Sequence, residues 1–169
     1  MTVRRRVFLG ASGAVLTRRG EAQTGSASAV AEALRYLASS ATLQNKMSSL
    51  VASRDTRPEV KAFASREAQA SADHLEQLRT FARARALQLP EGMDAEHRAM
   101  WDNIEPLDYL ALTRRYAEVE QQALERDVQM YEEAAKSSDA NVQALATKML
   151  PGLRDRLVQA RSVHDAVKP

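Results

Sequence analysis

Apolar residues return every three or four positions along four long stretches of this chain, a period that suits amphipathic helices and no strand. Val30, Leu34, Leu37, Ala41, Met47 and Val51 mark the first stretch, predicting a helix over about residues 29–52. Val60, Phe63, Ala64, Leu75, Leu78 and Ala82 mark a second, reaching about Leu87. The third, about 106–136, carries Leu112, Tyr116, Val119, Ala123, Met130 and Ala134. Val142, Leu145, Met149, Leu153, Leu157 and Ala160 define the last, about 139–167. Strong helix formers fill the positions between, alternating β-branched runs are absent, and aromatics amount to only 5%.

The punctuation between these stretches has its own chemistry. Thr56-Arg57-Pro58-Glu59 reads as a capping box with proline in the first turn. Leu89-Pro90-Glu91-Gly92 ends the second helix, and Asp94 caps a short helical piece to about Trp101 that Glu105-Pro106 interrupts. Asp139 is a good N-cap for the last helix, which Pro151-Gly152 should kink. Helices of this length joined mostly by short turns make antiparallel neighbours. The expected fold is therefore all-α: an antiparallel four-helix bundle with a short extra helix between helices 2 and 3.

The first 29 residues read differently. Arg5-Arg6-Val7-Phe8-Leu9 resembles the core of a twin-arginine export motif, a short apolar run extends to Leu16, and Ala27-Ser28-Ala29 offers an A-x-A cleavage site. At ten residues, Gly10, Ser12 and Gly13 among them, this run is too short to span a bilayer, which needs about 20. The expectation is a signal peptide over 1–29, a bundle domain over 30–169 without a transmembrane helix, and a periplasmic or cell-envelope destination. Five arginines and one acid sit in this leader, so removing it turns a net charge of +2 into −2. The basicity belongs to the leader, and nucleic acid is not an expected partner. A protein partner, a second copy, a small apolar ligand between the helices or peripheral attachment to a membrane are the remaining classes.

The inventory for chemistry is thin. There is no cysteine, which excludes disulfides, thiol catalysis and iron–sulfur ligation. No nucleophile triad or phosphate-cradling glycine loop is present, and no catalytic or cofactor-binding residue is assigned. Glu67 and His74 lie two turns apart on one face of the second helix. Glu118, Glu120 and Asp127 on the third helix could approach them, with Gln44 as a neutral partner from the first. Glu67, His74, Glu120 and Asp127 are thus the candidate metal ligands, for iron or manganese. The competing expectation is a semi-polar seam in which His74 bonds to Glu67 or Gln44. The Asp94–His97 segment reads as a helix start, His164 as a surface residue, and Tyr109, Tyr116, Tyr131 and Trp101 as scattered.

Several segments together resemble a known family: Arg57 to Ala64, Leu78-Arg79-Thr80-Phe81-Ala82, Leu89-Pro90, Leu112 to Tyr116, and Leu150-Pro151-Gly152-Leu153. The resemblance is to exported bacterial ferritin-like proteins, catalogued as domain of unknown function four-one-four-two and often labelled membrane or outer-membrane proteins. It covers about residues 30–165. That family places histidines at three bundle positions, which here hold Ala70-Ser71, Leu124 and Arg156. The pair Asp73-His74 stands three residues late. The family's polar or metal centre is therefore not carried over. The resemblance implies an exported envelope protein with a non-catalytic binding or structural role; the alternative is a ferritin-like metal or redox protein with an altered site.

Overall fold

The computed structural model describes residues 18–168, with side chains from Ala27 onward. These residues form five helices and no strand: α1 (Arg18–Arg54), α2 (Pro58–Arg83), α3 (Ala95–Ile104), α4 (Tyr109–Ala134) and α5 (Ala140–Val167). No helix among them is long and apolar enough to cross a membrane. The expected signal residues Arg5, Arg6, Phe8 and Leu9 lie outside the described residues. Ala27 and Ala29, the expected cleavage positions, are exposed on α1, which begins at Arg18 rather than near Ala29.

α1 packs chiefly on α2 and α4 chiefly on α5; α1 also meets α4, and α2 meets α5. The four long helices thus share one core. Leu37, Leu43, Met47 and Val51 enter it from α1, Phe63 and Leu78 from α2, Tyr116 and Leu124 from α4, and Leu153 and Leu157 from α5. Side chains of this size contribute roughly 1.5–3 kcal/mol each on full burial. α3 fills the long connection between the pairs and lays Ile104 into the same core.

The expected stripes on α1 and α2 are buried much as the spacing predicts. On α4 the inner face departs from the expectation. Ala123, Met130 and Ala134 are only half-buried, while Leu124, Asp127, Val128 and Tyr131 point inward. α4 offers two neighbouring stripes, and the larger side chains take the interior. α5 continues as helix through Pro151, where the missing N–H gives up the bond to Thr147.

The connections correct one expectation and confirm two. Arg57, not Thr56, is the N-cap of α2, and no side chain caps it. Proline at N1 sets that frame, so the expected Thr56–Glu59 capping box does not form. Asp55, almost fully buried, shapes the turn instead: its carboxylate accepts from the Arg57 N–H (2.8 Å) and from the Thr113 hydroxyl of α4. Asp94 and Asp139 do cap, accepting from His97 N–H and from Asn141 and Val142 N–H. The Arg85 guanidinium grips both Asp139 oxygens (2.8 Å each), tying the end of α2 to the start of α5.

α2 unwinds through two reverse bonds, Ala86 N–H to Arg83 O (3.1 Å) and Leu87 N–H to Ala82 O (2.9 Å). This closure places Ala86 at φ 54°, a left-handed position normally given to glycine. An L-residue there costs roughly 1–2 kcal/mol, partly offset by alanine's stiffer unfolded chain. Ala86→Gly is expected to raise unfolding stability by about 0.5–1 kcal/mol in urea melts; a loss of stability would contradict the strained closure.

Candidate functional site

Buried polar side chains sit among the apolar ones of the core, and they come from all four long helices. The helical period explains this directly: Gln44, Glu67, Ser71 and Asp127 fall inside apolar stripes and are carried inward with them. Once there, each needs a partner, because an unpaired buried polar group costs roughly 1–3 kcal/mol and a charge more.

The partner common to most of them is Arg156 of α5. Its Nε donates to Glu67 Oε2 at 2.9 Å, and its Nη2 donates to Gln44 Oε1 at 2.8 Å and to Ser71 Oγ at 3.0 Å. The Arg156 side chain is only 12% exposed. With Gln44 Oε1 turned to the guanidinium, the Gln44 amide nitrogen faces α4, donating to Asp127 Oδ2 (2.8 Å) and to Ser40 Oγ (2.9 Å). Ser40 in turn donates to Asp127 Oδ1 at 3.1 Å. One continuous chain of hydrogen bonds therefore runs α2–α5–α1–α4, from Glu67 through Arg156 and Gln44 to Asp127.

Glu120 completes the cluster in a different way. It is fully buried, and neither carboxyl oxygen receives a hydrogen bond from a protein donor. Arg156 Nη2 stands 3.9 Å from Oε1, too far to bond well. Burial, reinforced by the negative Glu67, pushes the Glu120 carboxyl well above the usual range, against the pull of Arg156. These surroundings favour the neutral form of the Glu120 carboxyl.

His74 is buried on α2, but its partner is neither Glu67 nor Gln44. Nε2 bonds the Tyr131 hydroxyl at 2.8 Å, and Nδ1 has no partner. Burial, with Arg156 as a second cause, lowers its pKa to about 3, so the imidazole is neutral. Glu118 lies near the surface with Arg115 (2.8 Å). Elsewhere, Tyr116 meets Ser48 at 3.0 Å, and His97 holds α3 on α1, its Nδ1 2.9 Å from Ser39 Oγ and from each Asp94 oxygen. His164 is half-buried near the end of α5, close to Asp165.

Among the sequence candidates, then, Glu67 and Asp127 belong to the hydrogen-bonded chain and Glu120 lies against it. His74 stands apart with Tyr131. Among the described residues no three histidine, aspartate or glutamate side chains are grouped so that they could hold a metal. The donor set does not fit such an ion, because a permanent cation already faces the carboxylates. Arg156 carries this site, and spacing alone gave it no role. The available signal was the balance of charge: three interior acids with no interior base demand either a cation or protons.

The two shifted groups with resolved values act oppositely on stability. His74 is neutral in the fold down to pH about 3 but takes a proton near 6.5 when unfolded, so stability falls as pH drops through that window. Asp127, raised mainly by burial from 3.8 to about 6, favours the fold most below pH 4 and loses that contribution as pH rises to 6. Replacing His74 by asparagine should flatten the acid side of a stability–pH curve by up to about 1.4 kcal/mol per pH unit. Asp127→Asn should steepen it between pH 4 and 6 by a similar slope. Chemical denaturation across pH 3–7 checks both, and an unchanged profile in His74→Asn would contradict the buried neutral imidazole.

No curated protein and no solved structure matches the chain. One protein family does: its pattern, described as Domain of unknown function (DUF4142), matches residues 16–163, which include every residue of the buried cluster. The chain belongs to the DUF4142 family.

Proposed function

We propose that this chain is an exported cell-envelope protein whose long helices form an antiparallel, ferritin-like bundle with a binding or structural role rather than a catalytic one. The observation that carries the reading is Arg156. Its guanidinium donates hydrogen bonds to α1 and α2 oxygens inside the core, where a cation would be needed to balance Glu67. A tethered cation cannot exchange, change oxidation state or open a coordination position. The surroundings of the remaining acid, Glu120, favour its neutral form. Such a centre fixes helices and leaves no reactive group exposed to a substrate.

The bundle reading is supported by two packed helix pairs, α1 with α2 and α4 with α5, linked by one long connection bearing α3, an arrangement found in ferritin-like folds. Export is supported by the ordered run of Arg5-Arg6, the apolar stretch and Ala27-Ser28-Ala29.

Protein purified without chelators should contain far less than one iron or manganese per chain, and adding either ion should leave the melting temperature unchanged. Stoichiometric metal that disappears in Glu67→Gln would overturn the reading in favour of a metal or redox protein. Export is read separately: the Arg5→Lys, Arg6→Lys double variant should stay in the cytoplasmic fraction, and an unaltered distribution would remove the envelope assignment.

A further inference from the structure

We propose that one end of the helix assembly is a binding site for a long-chain fatty acid, with the hydrocarbon tail inside and the carboxylate at the mouth. The inference rests on the binding role proposed above and gives it a place. At this end a cavity of about 600 Å³ opens between the four long helices, a size within the 300–1,000 Å³ range of small-ligand sites.

The cavity exists because small residues stand where large ones would close the core. Within the expected mature domain, Ala33 of α1 and Ala134 of α4 line it, and neither reaches across. The surrounding wall is apolar, formed by Leu34 and Leu37, Phe81, Met130, Val142 and Leu145. Tyr131 contributes its ring to this wall, while its hydroxyl is committed to His74. An extended peptide segment would bury amide groups against such a wall without partners, at a cost of several kcal/mol each. A hydrocarbon chain has no such groups.

The mouth selects the head. Among the described residues its charged side chains are Arg126, Glu133 and Lys136. Glu133 is neutralised by Lys136 at 2.8 Å. Arg126 donates to the neutral Gln129 (3.0 Å) and has no carboxylate partner among the described residues. Among the described residues one positive charge therefore has no carboxylate partner beside an apolar cavity, which matches one carboxylate on one acyl chain.

The test is fluorescence of dansyl-labelled undecanoic acid with the full chain, followed by displacement with palmitate or with hexadecanol. Saturable binding is expected, with palmitate displacing the probe at least about tenfold better than hexadecanol. Arg126→Glu should weaken palmitate about tenfold, an effect that shrinks with added salt, and leave hexadecanol unchanged. Ala33→Phe, which fills the cavity, should weaken both; Ala134→Leu does the same from α4 should Ala33→Phe fail to fold by circular dichroism. Absence of displaceable binding, equal displacement by the alcohol, or wild-type affinity in a folded cavity-filling variant overturns the proposal. So does concentration-dependent self-association that Ala33→Phe abolishes, since the occupant would then be a second copy. Any of these results leaves the Arg156 centre standing, because that reading is decided by metal content and thermal shift.

Discussion

A guanidinium held inside the helix assembly is the constraint on which the rest of this structure depends. Arg156 meets side chains of α1 and α2 within 3.0 Å and, through Gln44, reaches Asp127 on α4. Placing such a cation away from water costs several kcal/mol, recovered only if its donors are well paired. The pairing requires particular residues at one level of four helices, so it fixes their axial register as well as their rotation. Apolar stripes alone would tolerate sliding by a turn; this network would not.

The same constraint divides the interior into two regions of different character. Around Arg156 the core is polar and, Glu120 and His74 Nδ1 apart, hydrogen-bonded, and two large phenols, Tyr116 and Tyr131, end in hydrogen bonds to Ser48 and His74. Toward the end lined by Ala33, Leu34 and Leu37 of α1 and by the α4–α5 connection, the wall turns apolar, charged groups are confined to the mouth and small residues leave a cavity. Rigidity in the middle makes an opening at the end affordable, since register is already set elsewhere.

How much of this was legible beforehand follows from what helical periodicity can see. It found the four long helices and the caps at Asp94 and Asp139, and it carried Gln44, Glu67, Ser71 and His74 to the inner face of their helices. It could not choose between the two stripes of α4, because Ala123 and Met130 compete with Leu124 and Tyr131 at the same spacing; packing volume made that choice. The α2 start was misplaced by one residue because the Thr56 hydroxyl suggested a cap, whereas Pro58 governs the frame. The partner of His74 was also misjudged: it is Tyr131, a residue read as scattered because its stripe was not recognised. Arg156 itself follows the Leu153 and Leu157 face closely enough to be drawn inward, yet an arginine in a helix is ordinarily read as solvated. Only the unbalanced interior acids pointed to it.

The central claim is that Arg156 and Glu67 form the ion pair around which the helices register. A double-mutant cycle with Arg156→Met and Glu67→Gln, read by urea denaturation, tests it directly. Arg156→Met alone should lose about 3–5 kcal/mol by leaving Glu67 buried without its partner. The double variant should recover much of that loss, giving a coupling energy above about 1 kcal/mol. Additive losses, with no recovery in the double variant, would contradict the account.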